Sequence, residues 1–225
     1  MTRTGASGRP PVAPDRDAES FVEWAQLNSR AIIIGVVVVA LAAAGWWLYR
    51  TNREARFAQA ETALARAGQS LATNNVPLAM TDLQRVVEGF AGTPAAREAA
   101  LMLAQLHYDR GEHQKGVDVL QNVLDDAEAT GLGAPVQVLI ADGQMELGKF
   151  PEAAASYLRA AEMTPFAMEQ ANDSASAARA YAAGGNVEAA TAIWRALAAD
   201  EESPVRGEAL IRLGELQAEP VVQGS

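Results

Sequence analysis

The chain has 225 residues, 49% of them hydrophobic, and no cysteine. It is long enough to bury a real core, and it cannot use disulfides, thiolate zinc sites or a cysteine nucleophile. The formal net charge is −10, of which residues 1–50 (five Arg, four Asp or Glu) contribute +1 and residues 51–225 (13 basic, 24 acidic) contribute −11; so acidic a body lacks the basic patch that phosphate contacts need, which speaks against nucleic-acid binding.

Residues 1–18, MTRTGASGRPPVAPDRDA, combine Gly, Pro, Ser and charge and read as a disordered tail. Residues 19–30 set Phe21, Trp24, Ala25 and Leu27 at helical spacing. They read as an amphipathic lead-in lying on a membrane surface, or as the first turns of the helix that follows. Residues 31–49 are 19 uncharged, mostly apolar residues between Arg30 and Arg50. A helix of that length covers roughly 28 Å, close to the hydrocarbon thickness of a bilayer. Trp46, Trp47 and Tyr49 cluster at its C-terminal end, as an interfacial aromatic belt would.

Two other readings of this run compete. A cleaved signal peptide would need an n-region about 30 residues long carrying Asp15, Asp17, Glu19 and Glu23, and a shorter apolar run. A buried core helix rarely runs this long without a polar face. The expectation is a single transmembrane helix over 31–49. Charge leaves its orientation open: Arg50, Arg53 and Arg56 crowd the C-terminal side and argue for keeping it cytoplasmic, but long domains translocate largely regardless of charge.

Residues 51–218 carry an internal period. The segments NNVPLAMTDLQRVV, GEHQKGVDVLQNVL, GKFPEAAASYLRAA and GNVEAATAIWRALA begin at 74, 111, 148 and 185, 37 residues apart. Their sixth position is small (Ala79, Gly116, Ala153, Ala190), their tenth large (Leu83, Leu120, Tyr157, Trp194) and their thirteenth apolar (Val86, Val123, Ala160, Leu197). A small residue lets a neighbouring helix approach and a large one fills the groove a turn later. Each segment opens on Gly or Asn, which tolerate the left-handed turn between helices. An apolar helical stretch precedes each turn: Phe57 to Ala72, Ala95 to Arg110, residues 134–147 and residues 169–184. The expected unit is helix, turn, helix.

This unit resembles the tetratricopeptide repeat. Ile140, Ala141, Gly148, Phe150, Ala153, Tyr157, Ala160 and Pro165 stand at the repeat's signature positions in the third unit, and Tyr181, Gly185, Ala190 and Trp194 in the fourth. The fold this implies is all-α: a tetratricopeptide-like α-solenoid of about four helical hairpins, with residues 204–218 as a capping helix. Residues 219–225 read as a disordered tail.

No catalytic motif stands out. Lys149 in GKF lacks the spacing and the preceding strand of a phosphate loop, and reads as an exposed turn lysine. His107 and His113 lack the partners of a metal site, and His107 falls where the repeat places an aromatic, so packing is the expected role. No enzyme activity, cofactor, metal or small-molecule substrate is expected. The basic clamp with which some tetratricopeptide domains hold a C-terminal carboxylate is also missing: Glu98, Leu101, Met102 and Gln105 stand at its positions in the second unit, and Pro135, Val138, Leu139 and Asp142 in the third.

Tail, anchor and repeat array in this order resemble the ancillary Sec translocon subunits of the YfgM type. The lead-in FVEWAQLNSR, the membrane segment, residues 92–120 and residues 178–197 carry the likeness. The resemblance implies a single-pass protein of the bacterial inner membrane with a cytoplasmic N-terminus and residues 51–225 in the periplasm. It implies the Sec translocon channel and a periplasmic chaperone or exported clients as partners. The first helices would line a concave surface, with Gln105, Tyr108, Asp109, Asp142, Met145 and Glu146 as candidate protein contacts. A general membrane-anchored scaffold for cell-envelope or outer-membrane assembly is the alternative.

Overall fold

The computed structural model describes residues 29–217, so the readings of 1–18, of 19–28 and of 218–225 lie outside the described residues. The described residues form helices joined by short turns, and no strand. In chain order they are α1 (Ser29–Ala72), α2 (Val76–Gly89), α3 (Pro94–Asp109), α4 (His113–Ala129), α5 (Gly133–Glu146), α6 (Phe150–Met163), α7 (Ala167–Ala183), α8 (Val187–Ala199) and α9 (Arg206–Gln217). Two compact units divide the chain, Met1–Ala55 and Arg56–Ser225.

In the first unit, the stretch expected to span a membrane falls inside α1. Among the described residues no helix is long and apolar enough to cross a membrane. The side chains of Ala31, Ile32, Ile33 and Val36, four members of the apolar run, lie outside the described residues. Those that are described, among them Val37, Val38, Val39, Leu41, Trp46 and Trp47, are exposed. Trp46 and Tyr49 keep their rings 6.4 Å apart. Arg50 then pairs with Glu54 at 3.1 Å.

In the second unit each helix from α2 onward packs on the next in the chain, as in a repeat protein whose members touch only their neighbours. The turns explain the 37-residue period. Asn74, Gly111, Gly148 and Gly185 all have positive φ, between 58° and 78°. After α3 the amide of Gly111 donates to the carbonyl of Tyr108 at 2.9 Å and that of Glu112 to His107 at 2.8 Å. The amides at 74–75, 148–149 and 185–186 repeat this pair of bonds. This is the Schellman ending, in which a left-handed residue lets the last carbonyls of a helix find donors. Gly92 and Gly131 make left-handed turns between hairpins as well. Several of the following helices are capped from the side chain: Asn75 accepts from the Leu78 amide at 3.3 Å, Thr93 from Ala96 at 3.2 Å and Asn186 from Ala189 at 3.1 Å.

Gly148→Ala tests the turn. Nothing crowds a Cβ there, but φ is +68°, so the cost is conformational alone, about 1 kcal/mol. The expected readout is a small drop in the urea midpoint with the m-value unchanged.

The core follows the small, large, apolar register. Ala79, Gly116, Ala153 and Ala190 are buried, and so are Leu83, Leu120, Tyr157 and Trp194. Val86, Val123 and Ala160 are buried too, and Leu197 packs partly against the last cluster. Ala60, Leu64 and Ala67 of α1 join Leu83 and Val86 in the first cluster, so α1 and α2 form the first hairpin. At the other end Val205 and Ala209 close over Ala171, Ala175, Ala178 and Trp194. Arg179 fastens that lid with hydrogen bonds of 2.9 and 2.7 Å to the two carboxylate oxygens of Glu208. The bond from Arg179 holds the Glu208 carboxyl below its ordinary range.

Candidate functional site: a groove on the first helices

The second helix of the hairpin built from α3 and α4 carries Gly116 where its counterparts carry alanine. That hydrogen makes a slot. A Cβ on Gly116 would lie 2.2 Å from Cε1 of Tyr108, and a Cβ on Gly143 of α5 would lie 2.5 Å from its hydroxyl. The ring of Tyr108 is therefore seated between two glycines, one on each neighbouring helix. Its hydroxyl donates to the carbonyl of Leu139 at 2.9 Å, and its ring stacks on His113 with centroids 5.8 Å apart.

Around this tyrosine the repeat brings five of the six expected contact residues together. Tyr108, Asp109, Asp142, Met145 and Glu146 line one open cavity of about 410 Å³, together with His113, Gly143 and Tyr157. Gln105 is not among the lining residues; its side-chain amide donates to Asp109 at 2.8 Å, one turn along α3. Asp142 accepts a hydrogen bond from the Tyr157 hydroxyl. Burial, then Asp142, pushes the hydroxyl of Tyr108 well above its usual range. Tyr157 is raised in the same way, by burial first, then by its bond to Asp142 and the charge behind it. Both tyrosines thus stay neutral donors, and neither is poised as a base.

A second cavity, about 440 Å³, lies between α5 and α7. Ala134, Pro135, Val138 and Leu139 form its apolar wall, and Glu169 and Asp173 of α7 its rim. Burial, then the charges of Glu169 and Asp142, raises the carboxyl of Asp173. A carboxyl raised on folding makes the native state less stable once it is ionised. Asp173→Asn should therefore raise the melting temperature near pH 7. The gain should shrink as pH falls through the raised folded pKa and vanish below the unfolded value of about 3.9, which a melting series across that range checks.

Other expected sites take structural places. His107 sets its Nδ1 2.7 Å from Glu112, so its role is polar as well as steric. Lys149 is exposed and reaches back to Gln114 at 2.6 Å, tying one turn to the preceding one. Elsewhere Asp126 pairs with Arg97 at 2.5 Å. Among the described residues no group of three His, Cys, Asp or Glu could hold a metal ion.

Sequence reasoning passed over Gly143, His113, Tyr157 and Asp173 as parts of this groove. Gly143 did carry a signal. A glycine inside a helix costs about 1 kcal/mol relative to alanine and often marks a close approach. Tyr157 was legible as a core filler; that its hydroxyl emerges beside Asp142 depends on how α5 and α6 pack within their hairpin.

Residues 23–218 match the family described as a tetratricopeptide repeat-like domain. No curated protein matches the chain. Among solved structures, the crystal structure of a Podosopora anserina protein described by its kinesin light chain-like, nearly identical TPR-like repeats superposes with a TM-score of 0.51. It is 19% identical and covers 70% of this chain and 85% of its own. A substituted variant of that protein gives a TM-score of 0.50 at 19% identity, over 70% of this chain and 84% of its own. At this identity the likeness concerns the fold.

Proposed function

The chain belongs to the tetratricopeptide repeat-like domain family, and from that premise we propose that it is a membrane-anchored protein–protein interaction module without catalytic activity. The observation that carries the reading is the convergence of Tyr108, Asp109, Asp142, Met145 and Glu146, from two successive first helices, on one open groove. Stacked hairpins can hold an amphipathic or extended polypeptide in such a groove through apolar contacts and a few placed polar groups. Its tyrosines are neutral donors held by packing, which suits recognition rather than proton transfer.

The anchor is residues 31–49. Two observations support it: the described apolar side chains from Ile34 to Tyr49 are exposed, and the family match begins at residue 23, upstream of the run. Tethering to a bilayer raises the effective concentration of a partner at the same membrane, so groove affinity can be weak. By its resemblance to the YfgM type, the protein serves as an ancillary subunit of the Sec translocon, with its N-terminus in the cytoplasm and its repeats in the periplasm. There it assists exported chains and meets a periplasmic chaperone.

Three experiments test this. A reporter fused after Ser225 that is active only in the periplasm should be active, and the protein should sediment with membranes and resist carbonate extraction. Activity of a cytoplasm-only reporter, or carbonate release, contradicts the anchored topology. Detergent co-purification should then recover a channel component; recovery of cell-envelope assembly proteins without the channel favours a general envelope scaffold instead.

A further inference from the structure

Resting on the groove reading above, we propose that the groove of α3, α5 and α7 selects cationic, amphipathic polypeptide segments, in which lysine or arginine alternates with apolar residues.

The walls are apolar and aromatic. Tyr108, Met145 and Tyr157 line one cavity, and Pro135, Val138 and Leu139 the other. The two share α5, and the hydroxyl of Tyr108 in the first is bonded to the carbonyl of Leu139 in the second. Met145 also lines an adjoining cavity of about 360 Å³, walled by Ala182, Trp194 and Leu216 and edged by Arg179, Arg212 and Glu215, whose charges pair with one another or with Glu208. A partner can therefore place successive apolar side chains along one strip.

The rim carries acids from each of α3, α5 and α7, while α4 and α6 contribute His113 and Tyr157. Asp109 comes from α3, Asp142 and Glu146 from α5, and Glu169 and Asp173 from α7. Among the described residues none of these five is in an ion pair. Their partners are neutral: Gln105 for Asp109, Tyr157 for Asp142 and Thr164 for Glu169. The cation that acts on this cluster is Arg179, which bears on Tyr157 but is bound to Glu208. Asp142 raises Tyr108, Tyr157 and Asp173 together, so it stands within electrostatic reach of all three. A lysine or arginine arriving here relieves like-charge crowding and meets aromatic edges, whereas a carboxylate is repelled. Positions where a basic clamp would capture a carboxylate carry Gln105 and Asp142 instead, so the preferred partner has the opposite charge.

The test uses the full chain in neutral detergent and three fluorescent peptides of equal length, in which leucine alternates with lysine, serine or glutamate. The lysine peptide should bind at least about tenfold more tightly than the serine peptide, and the glutamate peptide most weakly. That preference should fade between 0.1 M and 1 M salt, as the Debye length shortens from about 10 Å to about 3 Å. Combining Asp142→Asn, Glu146→Gln and Asp173→Asn should abolish the preference for the lysine peptide over the serine peptide. The amide oxygen that Asp142→Asn introduces can still accept from Tyr157. Neutralising three acids on the second helices, Glu152→Gln, Glu162→Gln and Glu188→Gln, should change nothing.

Equal binding of the lysine and serine peptides overturns the charge selectivity and leaves the groove reading standing. So does a lysine preference that survives the groove substitutions but disappears with those on the second helices. Failure of all three peptides to bind counts against the groove reading itself.

Discussion

Trp194→Ala should destabilise the protein by about 3–5 kcal/mol, the usual range for truncating a fully buried large aromatic. Trp194 is 1% exposed and is the largest of the fully buried side chains. Alanines from α7 surround it, and Val205 and Ala209 close the lid. The alanines cannot extend into the space, and Tyr181, Leu197, Leu213 and Leu216 at the edge of the cluster can fill it only in part, so much of the cavity should persist. Arg179 also stands 6.0 Å from the centre of its ring; without the indole, the arginine that fastens α9 loses part of its support. Because repeats touch only their neighbours, the damage should be local. Amide exchange should show α8 and α9 losing protection first, with α2 to α4 close to normal. A loss of less than about 1 kcal/mol would show that the C-terminal hairpin is not organised around this residue.

Gly116→Val should be the most damaging small-to-large change. A Cβ alone would meet the Tyr108 ring at 2.2 Å, and the ring is held from the other side by Gly143 and by its bond to Leu139. Overpacking of this kind costs about 1–3 kcal/mol, and a β-branched residue adds to it. Gly116→Ala gives the sharper comparison. Within a helix, alanine is ordinarily better than glycine by about 0.5–1 kcal/mol, so the change should destabilise only because Tyr108 is there. In a Tyr108→Ala background the same substitution should become neutral or stabilising. This change of sign in a double-mutant cycle is expected from the slot and from nothing else in the sequence. Gly143→Ala should stay destabilising even without Tyr108, because its Cβ would also meet Cγ2 of Val117 at 2.6 Å.

The repeat was legible because each period carries its own local grammar. Asn74, Gly111, Gly148 and Gly185 announce a left-handed turn, and the buried residues six and ten places into each segment announce the face that packs. These are short-range requirements, and a periodic sequence states them several times over. The groove was half legible. Tyr108, Asp109, Asp142, Met145 and Glu146 fall on the exposed side of first helices, which the period defines. What joins them is long-range: the ring of Tyr108 crossing to the Leu139 carbonyl, and Tyr157 reaching Asp142 from the helix after α5. Asp173, more than sixty residues beyond Tyr108, enters only because consecutive hairpins stack. Gln105 shows the limit of the register argument. It lies on the expected helix, yet it serves Asp109 and does not line the cavity.

The central claim is that the face formed by the first helices, and not that of the second helices, receives a polypeptide. Site-specific photo-crosslinking in intact cells addresses it most directly, with the reactive side chain placed in turn at Asp109, at Glu146 and at Glu152 on α6. Discrete adducts should form from positions 109 and 146, none should form from 152, and Gly116→Val, by displacing Tyr108, should abolish those from 146. Adducts from 152 with none from the groove would contradict the account.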